Sequence, residues 1–315
     1  GVEGSGNAPA YRGTAYVVFD NLALEKFGNR LPQLTLEVFR RVSSTTGDSL
    51  ETIVRAVTMI PGAGERTYDT KVQKRDLGGG STTPENDSAG RSTSDWSVAL
   101  DDLKASLPNV DTVFLVVGWF GDDLRCGSST IRPKVEVANK VTTPDAWMVH
   151  GLARSGALVM SLSSGKPAYG GTPSDDTVVR AVRDLKARGY AVVFYPFVFM
   201  DVPAGNALPN PYGGTGQPVY PWRGRITCHP AAGQSGTVDR TVAAGTQVAA
   251  FFGACLASHV TVSVNASTDA VTTSYSGPAE WGLRRFILHY AKLCAAVNAI
   301  DAGAIDAFLI GSEFR

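Results

Sequence analysis

The 315-residue chain predicts an α/β fold built on a parallel β-sheet. Two observations support this prediction. Long apolar runs, such as residues 112–120 and 191–200, are typical of strands that are buried on both faces. Segments of helical period lie between such runs, and one of them has Pro173 in its first turn and Gly189 at its end. Strands and helices that alternate in this way form a parallel sheet with right-handed crossovers.

The individual elements follow from local patterns. Residues 156–162, "GALVMSL", and 307–313, "AFLIGSE", are predicted to add two further core strands, and "TIVRAVTMI" could form another. The sequence predicts a helix that begins at Ser94 or Asp95 and ends at Pro108, and a polar loop over residues 77–94. Helices are further expected at about 238–256 and in "GPAEWGLRRFILHYAKLCAAV", with a hairpin insertion near 260–276 between them. The inward face of the last helix comprises Leu283, Phe286, Tyr290, Leu293 and Val297.

This element order favours the first half of a (β/α)8 barrel, an architecture that takes about 250 residues to close. The alternative is a doubly wound open sheet, but its G-x-G-x-x-G turn is absent after the strand at 112–120, where "GWFGDD" stands instead. We expect residues 1–43 to form a short β region, 44–51 a linker and 52–315 the half-barrel. A chain that starts without Met and ends on a strand is expected to be part of a longer protein.

Composition excludes several classes of function. Basic and acidic residues balance at 29 each, and the absence of a Lys/Arg run gives no nucleic-acid or membrane footprint. The four cysteines lack C-x-x-C spacing, which argues against zinc and favours isolated buried thiols. No apolar run suggests a membrane span of about 18 residues, and no motif indicates a cofactor or a metal.

Candidate site residues follow the predicted strands, whose carboxyl ends should share one rim. Trp119, Asp122 and Asp123 follow the first strand, Asp201 the third and Glu313 the fourth. Aromatic rings and carboxylates suit a sugar, and a retaining glycosidase needs two carboxyl groups about 5–5.5 Å apart. Glu313 is the candidate general acid/base, and the second carboxylate would lie beyond the end of the chain.

Structural roles are equally open for these side chains. Asp122 and Asp123 could pair with Arg125, and Asp201 could order the proline-rich loop that follows it. In "WRGRITCHP", Arg223 and His229 could bind an anion or sugar hydroxyls, or they could brace the loop.

A resemblance adds to this interpretation. "AYRGTAYVVFDNLALEKFGNRLPQLTLEV" resembles the segment that closes the tail-hub region of baseplate hub proteins in long-tailed phages and gene transfer agents. The rest is similar to the TIM-barrel-like domain of the large baseplate protein of gene transfer agents. The matching stretches are "AVTMIPGAGE", "LVVGWFGDDLRCG", "PAYGGTPSD", "FYPFVFMD", "WRGRITCHP", "GPAEWGLRRFILHYAKLC" and "FLIGSEFR".

The resemblance implies a virion tail-tip component that is assembled in the bacterial cytoplasm and present in three copies around the tail axis. Other baseplate proteins and an envelope glycan are the implied partners. The family's barrel resembles glycoside hydrolases whose proton donor follows the fourth strand in an "IG-x-E" setting, which here places that role on Glu313.

Three functions are therefore weighed. The first is a structural baseplate segment that contacts tail proteins or envelope glycans. The second is a retaining glycosidase that opens peptidoglycan or surface polysaccharide. The third, a small-molecule enzyme on an open α/β sheet, lacks a cofactor fingerprint. An unpaired apolar edge at the last strand would require another chain or a continuation beside it.

Overall fold

The computed structural model describes residues 19, 22–28, 30, 34, 49–60 and 64–313. The chain divides into two compact units, residues 1–42 and Ser43–Arg315, which are described separately. In the first unit, Leu24–Phe27 form a 3₁₀ helix that ends at Gly28. The β region predicted for residues 1–43 lies almost entirely outside the described residues, as do most residues of the predicted linker.

The second unit combines five α-helices with a main sheet and several short ladders among the described residues. The helices are α1 (Leu50–Ile53), α2 (Asp95–Ser106), α3 (Asp175–Ala187), α4 (Val242–Phe252) and α5 (Leu283–Ile300). The strands before α3 are β1 (Ala56–Met59), β2 (Lys74–Gly78), β3 (Ser81–Pro84), β4 (Thr112–Gly121), β5 (Ile131–Arg132), β6 (Lys134–Val135), β7 (Thr142–Thr143), β8 (Met148–Val149), β9 (Leu152–Ala153), β10 (Leu158–Val159), β11 (Leu162–Ser163) and β12 (Lys166–Pro167). Those after α3 are β13 (Ala191–Met200), β14 (Val260–Val264), β15 (Val271–Tyr275) and β16 (Ala307–Phe308).

The main sheet contains four parallel strands in the order β1–β4–β13–β16, which is also their order in the chain. Thr112 of β4 lies opposite Ala56 of β1 and Ala191 of β13, and the β4–β13 register runs on to Gly121 and Met200. Strand β5 pairs antiparallel with the carboxyl end of β4. The mixed α/β class and the parallel sheet predicted from the sequence are therefore confirmed.

One predicted core strand is wrong. Residues 156–162 lie outside the main sheet. They form two separate short ladders, in which Leu158–Val159 pair with Lys134–Val135 and Leu162–Ser163 pair with Lys166–Pro167. The physical reason is length, because only three apolar side chains stand between Ala157 and Ser161. Leu158 and Val159 are more than two-fifths exposed. The first strand of the sheet is β1 instead, within the segment that the sequence allowed as a further strand.

Two other expectations also change. The segment 77–94 was expected as a loop, but β2 and β3 form an antiparallel hairpin through it. The turn is possible because Gly79 and Gly80 both have positive φ, which glycine adopts without steric cost. The last strand is shorter than predicted, although Leu309 N–H still donates to the Phe194 carbonyl at 3.0 Å.

Helices α3 and α5 pack against β13 of the sheet. The predicted inward face of α5 is confirmed, because all five of its apolar side chains are buried. Ser94 caps α2 by accepting a hydrogen bond from Ser97 N–H. On β13 the side chains of Val192, Phe194 and Val198 are buried, whereas those of alternate residues on the other face are only half-buried. Strand β13 therefore has a buried face and a partly open, aromatic face.

The antiparallel hairpin β14–β15 confirms the predicted insertion. Just before it, Val242–His259 is apolar and long enough by composition to cross a membrane, contrary to the expectation of no such run. Only Val242–Phe252 are α-helical, however. An 11-residue helix rises about 16 Å, about half of the hydrocarbon thickness of about 30 Å. This single segment is weak evidence for a span.

Candidate functional site

Glu313 lies just beyond the carboxyl end of β16, with its side chain half exposed. The Trp222 indole N–H donates to Glu313 Oε2 at 2.6 Å. The Arg223 guanidinium lies 2.9 Å from the same oxygen. Among the described residues, no donor bonds the other oxygen, Oε1, which is therefore available to accept from a bound molecule.

Arg223 is held in place by Ser312 and Phe197. Its side chain is 5% exposed, and its Nε and Nη2 donate to the carbonyl and hydroxyl of Ser312 at 3.2 and 2.9 Å. The guanidinium also stacks over the Phe197 ring, 3.5 Å from its centroid. Burial lowers the pKa of Arg223, while the Glu313 charge opposes this effect. Arginine nevertheless remains charged at any physiological pH, so Glu313 always faces a fixed cation.

The local backbone explains how two distant segments reach each other. Arg223–Arg225 form a 3₁₀ turn, and a Cβ at Gly224 would lie 2.7 Å from the Glu313 carbonyl oxygen. Only glycine allows this approach. Glu313 itself has φ 59, in the left-handed region. A non-glycine residue rarely adopts this conformation without support from its surroundings.

Asp201 follows β13 on the same edge of the sheet and is 3% exposed. Lys134 Nζ lies 2.6 Å from its Oδ2, and Ser161 N–H donates to that oxygen at 3.1 Å. The Ser161 hydroxyl donates to Oδ1 and also contacts the Tyr220 hydroxyl. The carboxylate is therefore fully engaged by the protein, through Lys134 and Ser161 rather than through the proline-rich loop that follows it.

Aromatic rings join the surroundings of Asp201 to those of Glu313. Tyr220 contacts Tyr169 edge-on, Tyr169 contacts Phe199, and Phe199 contacts Phe197, on which Arg223 stacks. Burial raises the pKa of Tyr169 to about 12, and Asp201 and Tyr220 add to this increase. Phe197 and Phe199 lie on the partly open face of β13 and the tyrosines pack beside them, so an aromatic strip leads to Glu313.

The acids after β4 brace loops. Asp122 accepts from the Thr130 backbone N–H and hydroxyl, both at 2.7 Å. Asp123 pairs with Arg125 at 2.6 Å, as the structural alternative expected, and accepts from Gln217. Both acids follow β4 on the Glu313 edge, but neither contacts Glu313.

His229 lies against α4. Its backbone N–H donates to Gln247 Oε1 at 2.7 Å, and its carbonyl accepts from Gln247 Nε2 at 2.8 Å. Its Nδ1 is buried without a hydrogen-bond partner among the described residues. The structure therefore brings Arg223 to Glu313, whereas His229 of the same loop is bound to Gln247 of α4.

Trp119 is fully buried. Its indole N–H donates to the Tyr290 hydroxyl at 3.0 Å, and its rings pack against His289 and Phe286. The ring has no open face, so the stacking role expected from sequence lacks structural support. Its contribution here is to the core between β4 and α5.

The described residues contain one group of acids close enough to hold a cation, namely Asp69, Asp145 and Asp176, whose ligand oxygens lie within 4.8 Å of one another. Arg180 bonds Asp69 at 2.6 Å and Asp176 at 2.9 Å, and Arg66 also pairs with Asp69 and Asp176. Arg180 and Lys71 also pair with Asp145. Three cations therefore already pair with the three carboxylates, and the cluster is a partly buried ion-pair network.

Sequence reasoning missed Trp222 and Ser312. Trp222 stands beside the Arg223 that the sequence singled out, in the same "WRGR" turn, and it is 47% exposed. A large aromatic residue next to a basic residue in a proline-rich loop is a sequence pattern that could have indicated a binding-site residue. Ser312 offers no comparable signal, because its role depends on the fold alone.

The comparisons with known proteins do not name this site. No protein-family model matches the chain, and no curated protein is significantly similar to it.

Proposed function

We propose that the Ser43–Arg315 unit binds a saccharide of the bacterial envelope at Glu313, Trp222 and Arg223, as part of a phage-like tail tip. One observation supports the binding site above all. A half-exposed carboxylate lies between an exposed indole and a buried, fixed guanidinium at the carboxyl end of a parallel sheet.

The chemistry of these groups suits a sugar. The apolar face of a pyranose can pack on the Trp222 ring, which is 47% exposed. Glu313 Oε1 can accept a hydrogen bond from a sugar hydroxyl while Oε2 stays bound to Trp222 and Arg223. Such sites commonly combine apolar surface with a few well-placed polar groups that fix orientation.

The sheet supports the proposed barrel-like architecture. Four parallel strands whose spatial order equals their chain order are what the first half of a (β/α)8 barrel contains. In that architecture ligands bind at the carboxyl ends of the strands, where Glu313, Asp201 and Asp122 all lie. An open sheet with the same strand order is the alternative architecture.

The tail-tip role is supported by the sequence resemblance alone. Its test is cryo-electron microscopy of intact particles that contain this protein. We expect density at the tail tip that accommodates the Ser43–Arg315 unit, repeated three times around the tail axis. Particles whose tip lacks such density would contradict the proposal.

The described residues provide contacts for binding, whereas the second carboxylate that cleavage would need is expected beyond residue 315. A retaining glycosidase needs a second carboxyl group about 5–5.5 Å from the first. Among the described residues, the side chains that bond Glu313 are Trp222 and Arg223, neither of which is an acid. Asp201 on the same edge is committed to Lys134 and Ser161. The retaining glycosidase with Glu313 as general acid/base remains the second candidate.

Retention of the purified chain on peptidoglycan sacculi and on immobilised capsular polysaccharide tests the binding site. We expect the Trp222→Ala variant to bind one of these glycans at least about tenfold more weakly, a loss of about 1.4 kcal/mol. Phe252→Ala on α4 is the matched control, because Phe252 is an aromatic residue of similar exposure, 40%. Unchanged retention of Trp222→Ala, or an equal loss in both variants, would contradict the site.

The same preparations, made with a chain extended through the whole barrel, separate binding from cleavage. Release of reducing sugar by the extended chain, abolished in its Glu313→Gln variant while glycan retention persists, would favour the glycosidase. Retention without release in both proteins is the result that we expect.

A further inference from the structure

Two cysteines that are distant in the sequence meet beside the proposed site. Cys126 Sγ lies 3.6 Å from Cys228 Sγ, although the residues are 102 positions apart. All four cysteines are free thiols in the structure. The expectation of isolated thiols is therefore wrong for this pair.

Backbone hydrogen bonds hold the two cysteines together. Cys126 N–H donates to the Thr227 carbonyl at 2.8 Å, and Thr227 N–H donates to the Leu124 carbonyl at 2.9 Å. Arg125 and Thr227 form a parallel β-bridge between these bonds. The main chain therefore brings the two cysteine residues close together.

The two sulfurs differ in accessibility. Cys126 is 5% exposed, whereas Cys228 is partly exposed, and both line an apolar cavity of about 590 Å³. Burial, with a further contribution from Cys228, raises the pKa of Cys126 to about 12. Cys228 is therefore the sulfur that a small oxidant in the cavity reaches first, and Cys126 is the adjacent resolving thiol.

We propose that Cys126 and Cys228 form a reversible disulfide on exposure to a peroxide. The Cys228 thiol releases its proton, and the resulting thiolate attacks one peroxide oxygen. The O–O bond breaks, and the departing hydroxide takes up the released proton, which gives water and a sulfenic acid. Cys126 sulfur then attacks Cys228 sulfur, the S–O bond breaks, and the hydroxyl leaves as water with the Cys126 proton. The two thiols lose two electrons to one peroxide, so the step balances.

The sulfurs, which lie 3.6 Å apart, must approach by about 1.5 Å to reach the bond length of about 2.05 Å. The bond would fasten the segment that carries Trp222 and Arg223 to the loop after β4. The inference does not depend on sugar binding, since it rests on the position of the thiols alone.

Peptide mapping of the unmodified chain tests the proposal without any substitution. After treatment with stoichiometric hydrogen peroxide, we expect one intramolecular disulfide between the peptides that contain Cys126 and Cys228, and its loss on reduction. Both thiols still free, a sulfinic acid on Cys228, or cross-links to Cys255, Cys294 or a second molecule would each overturn the proposal.

A matched pair of variants tests the order of the steps. In Cys255→Ala/Cys294→Ala, which keeps only the proposed pair, peroxide should remove both remaining thiols. When Cys126→Ser is added, dimedone should instead trap a sulfenic acid on Cys228. Circular dichroism before oxidation verifies that both variants fold. If peroxide removed thiols from the unmodified chain but left Cys126 and Cys228 free in Cys255→Ala/Cys294→Ala, the assignment of the disulfide to Cys126 and Cys228 would be wrong.

Discussion

Replacement of Arg223 tests how the Glu313 arrangement is held. Arg223→Met keeps the apolar stem but removes the guanidinium, which donates to Ser312 twice and stacks on Phe197 at 3.5 Å. Two hydrogen bonds contribute about 1 kcal/mol each, and a desolvated cation–π contact about 1–2 kcal/mol. The ion pair adds little, because Glu313 is half exposed. We therefore expect a loss of about 3–4 kcal/mol in the free energy of unfolding.

Urea unfolding followed by circular dichroism measures this loss as a shift of the midpoint at constant slope. Arg223→Lys separates charge from shape, because lysine keeps the positive charge but lacks the planar fork, and we expect it to recover less than half of the loss. Arg225→Met is the matched control. Arg225 is exposed and lies over Tyr212 at 4.7 Å, so its loss should stay below about 1 kcal/mol. Equal shifts for Arg223→Met and Arg225→Met would refute the reasoning.

Three further predictions concern buried groups. Burial first, and then the neighbouring His289 and Arg285, lower the pKa of His150 to about 2. Below about pH 6.5 the unfolded chain therefore binds a proton that the folded chain does not bind. The free energy of unfolding consequently falls by about 1.4 kcal/mol for each pH unit of acidification below about pH 6.5. His150→Asn, which tolerates the left-handed φ of 55, should flatten this dependence between pH 6.5 and 4 in thermal melts; an unchanged slope would contradict the assignment. Lys134→Met strands the buried Asp201 carboxylate and should cost about 3–5 kcal/mol in urea unfolding, which Asp201→Asn added to it should partly restore; full stability of the single variant would be the contrary result. Trp119→Phe should cost about 2–4 kcal/mol in the same assay and leave glycan retention intact, whereas a selective loss of retention would show that its ring faces the ligand.

The sequence predicts the long elements well for clear physical reasons. The strands β4 and β13 are apolar on both faces over ten residues each, and α5 shows a regular helical period. Such patterns depend on burial alone and do not require knowledge of partners. The core strand predicted for residues 156–162 was wrong because so short an apolar run is equally compatible with a two-residue ladder. Leu158 and Val159 are in fact exposed.

The sequence predicted the position of the site residues in the fold but not their partners. Placement after a strand correctly brought Glu313, Asp201 and Asp122 to one edge of the sheet. Partners were not predictable, because Arg223 and Glu313 are 90 positions apart and meet only through the fold. Trp119 shows a further limit. Its strand is apolar on both faces, so alternation could not reveal that its ring points toward α5.

The indole N–H resonance of Trp222 tests the central claim most directly. The chain has five tryptophans, and Trp222 is the one whose indole bonds Glu313. During titration with soluble peptidoglycan or capsular fragments, we expect its signal to shift saturably, while that of the buried Trp119 stays in place. Loss of the shift in Glu313→Gln would support the bond as part of the site. An unmoved Trp222 signal at glycan concentrations that retain the chain would contradict the account.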